Sequence, residues 1–303
     1  MVVLNGLFPV LALLFLGGCL KKLRLTNDAF LKTADKLVYF IFFPAMLFWK
    51  IGGARTADGI HWPFCLASLT AVGILYLISA GVILLAVPEF EAGSFSQACY
   101  RFNTYIGMAV ILGTLGEEGA RHFGIMVGFA IPIINTLAVS TLIWHSGRRF
   151  SPGERLRITG RALVSNPLIL ACAAGILHAR LAGAFPAFID GAFKLATSVT
   201  LPLALISIGG TLTFETLRGH LKLSLVAAAL KLILFPLVGY TCLKYYSVSG
   251  VPFKVGMIFF ALPTSTAIYV LSSQLNSSTA LASASIVVST LLSFIPLSIV
   301  LLL

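Results

Sequence analysis

Charge is the scarcest commodity in this sequence of 303 residues. Only 10% of it is Asp, Glu, Lys or Arg, and 58% is hydrophobic. A soluble domain carries roughly 25% charged residues, so a soluble globular fold is excluded. Acid is rarest of all, with 10 Asp and Glu against 21 Lys and Arg. Glu89, Glu91, Glu117 and Glu118 stand at the ends of apolar runs, which leaves no buried-carboxylate proton relay in view. The five cysteines, Cys19, Cys65, Cys99, Cys172 and Cys242, have no paired spacing; a disulfide framework and a zinc site are both excluded. The five histidines, His61, His122, His145, His178 and His220, fall at run ends and none pairs with a cysteine or carboxylate. With no His-Glu-x-x-His, no Ser/His or paired-Asp set at depth and no phosphate-cradling glycine loop, an intramembrane enzyme is disfavoured. No metal and no cofactor is expected. The longest polar stretch, about His145 to Arg161, is too short for a signalling domain.

What the chain has is apolar length. Mean hydropathy is +1.00, and ten apolar runs can be marked at 3–20, 36–53, 62–87, 95–115, 121–144, 162–181, 192–214, 221–246, 253–274 and 279–302. Each is near the ~20 residues that a helix needs to cross a bilayer. Leu16-Gly17-Gly18-Cys19 mimics a lipoprotein cleavage box, but Lys21, Lys22 and Arg24 follow the apolar run instead of preceding it. The run is therefore read as a retained span. A net charge of +11 would suggest nucleic acid in a soluble domain; here the bases collect in connections and report topology. With the amino terminus outside, the inward connections hold Lys21, Lys22, Arg24, Lys32, Lys36, Arg148, Arg149, Arg155, Arg157, Arg161, Arg218 and Lys222. The outward ones hold fewer: Lys50, Arg55, Arg121, Arg180, Lys194, Lys244 and Lys254. Both termini outside is the expected arrangement.

The halves repeat. Shifted by 158 residues, Pro9 falls on Pro167, Gly17 on Gly175, Ala29-Phe30 on Ala187-Phe188, Pro44 on Pro202 and Gly52 on Gly210. An odd number of spans per copy inverts the second copy, an architecture recurrent in secondary transporters. The expected fold is thus an all-α membrane protein of ten transmembrane helices in two inverted five-helix repeats, 1–147 and 162–303, joined by a cytoplasmic loop at 148–161. Pro44 and Pro202 are expected to kink spans 2 and 7.

Spans 4 and 9 are the most polar inside. Span 9 carries Pro263 followed by Thr264, Ser265 and Thr266. Pro263 cannot donate to the carbonyl four residues back, and in hydrocarbon such a break survives only where protein or a water-filled cavity satisfies the backbone. Span 4 answers with Asn103 and Thr104. Two interrupted helices at equivalent positions place a solute site near the midplane. Tyr105 and Tyr269 are candidates to wall it, although core packing is the commoner role for a tyrosine. Lys231, midway along span 8, is a candidate substrate or counter-ion group, because an ionised side chain at that depth is costly. Arg101 reads as an interfacial anchor. Asn135 and Asn166 read as helix–helix hydrogen-bonding groups.

Ala261-Leu262-Pro263 with Val270 and Asn276, the Asn103-Thr104 pair and Phe42-Phe43-Pro44-Ala45 resemble the auxin efflux carrier family, which includes plant PIN proteins and bacterial carriers often named malonate transporters. The resemblance covers essentially the whole chain. It implies broken, crossing helices 4 and 9, a scaffold of spans 1, 2, 6 and 7 that forms a homodimer, and a moving unit of the others. It implies elevator-type transport of an organic anion across a bacterial inner membrane, with Asn103, Gly107 and the region from Thr264 to Ile268 at the crossing. Plant members have a proline where this chain has Ala267-Ile268, and Gly107 stands in place of another. A sodium-coupled organic-anion carrier of the bile-acid type is the alternative; oxygen ligands clustered at the crossing would favour it.

Overall fold

The computed structural model describes residues 2–53, 60–147, 151–182, 184–212 and 217–302. Arg55, Arg148 and Arg149 of the topology count lie outside these. All regular structure among the described residues is helical. The first half runs α1 (Val2–Lys22), α2 (Asp28–Leu37), a π turn (Val38–Phe42), α3 (Phe43–Gly52), α4 (Trp62–Ala86), α5 (Glu89–Tyr100) and α6 (Thr104–Trp144). Helix α6 turns sharply at Gly116, whose φ of 62° and ψ of −153° suit glycine alone. Then come α7 (Pro152–Val164), α8 (Pro167–Leu181), α9 (Ala187–Thr197), α10 (Thr200–Thr211) and α11 (Leu217–Ala229). A second π turn (Leu230–Leu234) leads to α12 (Phe235–Tyr245), α13 (Gly250–Ala261), α14 (Ala267–Gln274), α15 (Thr279–Leu292) and α16 (Phe294–Val300).

Four helical stretches among the described residues are long and apolar enough to cross a membrane: Trp62–Ala86, Glu89–Trp144, Ala187–Thr211 and Gly219–Tyr245. The pair α15 and α16, bent by 41°, makes a fifth if taken as one span. Large apolar side chains such as Leu85 (88% exposed) and Phe188 point outward, as they do against lipid. The protein is an integral multi-pass membrane protein.

The chain divides into two compact units. Unit 1 is Met1–Trp62, Tyr105–Phe129 and Ser165–Leu212; unit 2 is Pro63–Thr104, Ala130–Val164 and Thr213–Leu303. In unit 1 the closest helix pairs are α1 with α10 and α3 with α8. A Cβ on Gly17 would overlap the carbonyl of Ile206 and reach the amide of Gly210 at 3.0 Å; one on Gly52 would lie 3.5 Å from the carbonyl of Gly175. The glycines matched by the repeat therefore meet in exchanged pairs, 17 with 210 and 175 with 52. Unit 2 packs fully buried rings, among them Phe64, Phe95, Phe235, Phe259 and Phe260, around helices that share hydroxyl hydrogen bonds.

Both π turns have one cause. Pro44 and Pro236 occupy the second position of the helices that follow, and neither has an N–H for the carbonyl four residues back. The preceding residue reaches one further: Phe43 N–H donates to the Val38 carbonyl and Phe235 N–H to that of Leu230. Pro202 follows a different break, at Ser198–Val199 between α9 and α10.

Two expectations need correction. The segment 148–161 is helical from Pro152 onward. A capping box begins α7: Ser151 N–H donates to Glu154 Oε2 at 2.7 Å, and Glu154 N–H to Ser151 Oγ at 3.2 Å. The hydrogen bond from the Ser151 backbone holds the Glu154 carboxyl below its usual range. Asn166 caps α8 instead of bridging helices, its Oδ1 accepting from the N–H groups of Leu168 at 2.9 Å and Ile169 at 3.3 Å.

Candidate functional site

Two helix breaks of the same construction lie in unit 2. Helix α5 stops at Tyr100, and Arg101 turns extended with φ −69° and ψ 150°. Helix α13 stops at Ala261, and Leu262 turns extended with φ −64° and ψ 147°. At the second break the cause is in the sequence, because a residue before proline is pushed out of the helical region. Gly250 and Ala261 each follow their counterparts Glu89 and Tyr100 by 161 positions. The repeat has thus slipped three residues from the 158-residue register of the first spans.

The breaks satisfy each other. Asn103 N–H donates to the carbonyl of Pro263 at 2.9 Å. Thr264 N–H donates to Ser289 Oγ at 3.1 Å, and Ala267 N–H to Ser265 Oγ at 3.3 Å. Ser265 therefore heals the backbone at the start of α14. The Thr264 hydroxyl is fully buried and has no hydrogen-bond partner among the described residues. Thr104 and Thr266 are half-buried, and Pro263 is buried. Phe102 packs edge-on against Phe259 with centroids 4.6 Å apart.

Lys231 sits in the π turn before α12 and is fully buried. Its Nζ lies 4.2 Å from the centroid of Phe235 and 5.9 Å from that of Phe259. No hydrogen-bond acceptor among the described residues reaches it.

Other expected site residues fall elsewhere. Tyr105 and Gly107 belong to unit 1, where Tyr105 packs edge-on against Phe43 at 4.8 Å. Tyr269, on α14, is 47% exposed. Pro44 and Pro202 also lie in unit 1. Sequence reasoning missed Arg101, which is no interfacial anchor: it is 8% exposed within the break, with Nη1 3.5 Å from Gln97 Oε1. Its place directly before Phe102-Asn103 was the available signal. Ser289, on α15, had none.

The profile of a family described as "Membrane transport protein" matches residues 151–301. A Rhizobium meliloti protein named "Putative malonate transporter" is 25% identical over 294 residues, covering 94% of this chain and 90% of the relative. An uncharacterized transporter of Methanocaldococcus jannaschii is 24% identical over 309 residues, covering 97% and 96%. Another, of Methanothermobacter thermautotrophicus, is 25% identical over 299 residues, covering 95% and 94%. These proteins are membrane transporters by name, and none is named as an enzyme. With an all-helical apolar fold and relatives aligned from end to end, this chain belongs to the auxin efflux carrier family of membrane transport proteins.

Proposed function

We propose that the protein is a secondary carrier for a small organic anion, a mono- or dicarboxylate of malonate-like or auxin-like size. The observation that carries this reading is the contact of the two helix breaks through Asn103 N–H and the Pro263 carbonyl. Broken spans with spare polar groups are how carriers build solute sites in hydrocarbon. A carboxylate there would meet the Asn103 amide, the hydroxyls of Thr104, Thr264, Ser265 and Thr266 and the starts of α6 and α14, whose N-termini favour negative charge. Gly107 and Tyr105 follow on the first turns of α6, within unit 1, and Lys231 is assigned to the electrostatics of the breaks.

The exchanged glycine pairs and the like-shaped breaks support ten spans in two inverted five-helix repeats. Spans 1 and 2 and most of spans 6 and 7 fall within unit 1, together with parts of spans 4 and 5; the grouping of the first four supports a scaffold, dimeric in the membrane, and an elevator-type moving unit.

Counterflow in proteoliposomes with radiolabelled mono- and dicarboxylates, malonate first, tests the reading. Asn103→Ala keeps the backbone N–H that binds Pro263 and removes only the side-chain amide. It is expected to lower exchange at least tenfold, equivalent to ~1.4 kcal/mol, with an unchanged unfolding midpoint. Exchange at the original rate would remove Asn103 from the site. Failure of every carboxylate tested would remove the substrate class.

A further inference from the structure

We propose that α7 lies in the plane of the membrane surface and binds the headgroups of acidic phospholipids through Arg155 and Arg157. This goes beyond the carrier reading and needs only that the protein is embedded in a bilayer.

Length and charge exclude α7 from the hydrocarbon. It has 13 residues, about 20 Å of helix against an apolar core of about 30 Å. Among them are Glu154, Arg155, Arg157 and Arg161. The chain nevertheless holds it close to the bilayer. Trp144, the last residue of α6, is 72% exposed, and an outward tryptophan at the end of a span belongs at headgroup level. Nor is α7 the first turn of the apolar helix that follows. Asn166 is extended before Pro167, with φ −79° and ψ 113°, so the helical path stops and starts again. The capping box at Ser151 and Glu154 satisfies the start of α7 without a neighbour.

The residues are sorted around the helix. At about 100° per residue, Leu156 and Leu163 project within about 20° of each other. Arg155 and Arg157 stand about 90° and 110° to either side of that strip, and Glu154 points nearly opposite. This is the order of an interfacial helix, with an apolar strip toward the acyl chains and cations beside it. Leu163 is half-buried, but Leu156 is 75% exposed and both arginines are exposed. A Cβ on Gly160, about 50° from the strip, would meet nothing within 4 Å. Among the described residues α7 packs closely against no other helix of unit 2.

Charge names the occupant. Three arginines against one glutamate suit a negative surface, and a guanidinium matches phosphate oxygens with paired N–H groups. An acidic leaflet adds attraction for each basic residue near it, which falls off within a Debye length. A zwitterionic leaflet offers the phosphate without the net charge.

Amide hydrogen exchange over residues 152–164 of the full chain tests this. It is measured in nanodiscs of phosphatidylcholine alone and of an equimolar mixture with phosphatidylglycerol. Wild-type exchange is expected to be roughly tenfold slower with phosphatidylglycerol, and high salt is expected to cancel most of that difference. Arg155→Gln combined with Arg157→Gln is expected to exchange alike in both discs, whereas the corresponding pair of Lys substitutions keeps most of the difference. Leu156→Ser is expected to exchange faster than the wild type in both. Basic residues also orient the chain; if the Gln pair fails to insert, the salt comparison on the wild type carries the test. Equal wild-type exchange in the two lipids overturns the proposal. So does slow exchange that survives high salt, the sign of a protein cover such as a second copy, or a Gln pair as sensitive to lipid as the wild type.

Discussion

The tightest glycine contacts in unit 1 are backbone against backbone, whereas unit 2 seats its glycines against side chains, as Gly239 against the Phe260 ring, and also joins its helices through hydroxyl groups. On α1 and α10, Gly17 and Gly209 sit where any side chain would overlap the carbonyl of Ile206 or Leu14. On α5, by contrast, Ser94 Oγ lies 2.8 Å from Ser272 Oγ, 2.9 Å from Ser277 Oγ and 2.8 Å from the carbonyl of Ser278. Ser224 and Ser285 pair at 3.3 Å, joining α11 and α15. Apolar surface draws helices together weakly in lipid, because the tails are as apolar as leucine; close packing and interhelical hydrogen bonds remain. Unit 1 relies on the first, and unit 2 adds the second. The difference follows the breaks. Interrupted helices leave backbone groups that need partners, and hydroxyls are short enough to supply them inside a packed core.

The sharpest way to break the comparison is Gly209→Val. The obstructing atoms are the carbonyl and Cα of Leu14, part of a helix that cannot retract like a side chain. A loss of about 3 kcal/mol is expected, read as a large fall in unfolding midpoint or no folded protein at all. The exchanged pair refines this. Gly17→Ala meets backbone, whereas a Cβ on Gly175 would meet Ile51 Cβ at 3.0 Å and Phe48 O at 3.2 Å. The second variant is expected to be the milder. Equal losses would mean that the matched positions pack alike and that α1 and α10 adjust more than their contacts suggest.

Both the glycines and the breaks were legible, for different reasons. Gly17, Gly52, Gly175 and Gly210 stand in register at one fixed shift, and only a repeated packing need keeps them there. Pro263 marked the second break through its missing N–H. The first break carries no proline, and its polar residues showed only where to look. The three-residue slip between spans 2 and 4 was not legible, because the identities that fix the 158-residue shift end at Gly52 and Gly210. Ser151-Pro152-Gly153-Glu154 spells a capped helix start within a stretch whose density of arginine resembles that of a polar loop. Lys231 was marked by its depth in span 8 and Arg101 only by its place before Phe102-Asn103, and the surroundings of both depend on which helices pack about them.

A smaller effect is expected of Ser94→Ala. The hydroxyl has three partners on α14 and the turn before α15, but Ser277 Oγ keeps the carbonyl of Phe90 at 3.0 Å and so is not orphaned. Interhelical hydrogen bonds in lipid average about 0.6 kcal/mol and reach about 1.7 kcal/mol. A loss of about 1 to 2 kcal/mol in unfolding free energy is expected, well below that of Gly209→Val. Ser272→Ala should add little on top of Ser94→Ala, because both remove the same bond. Full additivity of the two would show that the cluster is not one network.

The smallest effect is expected at a unit 2 glycine that faces open space, unlike Gly239, where a Cβ would run into the Phe260 ring. A Cβ on Gly73, in the middle of α4, meets nothing within 4 Å. In water a helical Gly→Ala change stabilises by up to about 1 kcal/mol, because glycine gives up more backbone freedom. In a bilayer the unfolded reference is itself helical, so that gain largely disappears. Gly73→Ala is expected to change the unfolding midpoint of the protein by no more than about 0.5 kcal/mol in free energy. A loss on the scale of Gly209→Val would show another helix seated against that face of α4 in the membrane, and backbone-tight glycine packing would then no longer set unit 1 apart.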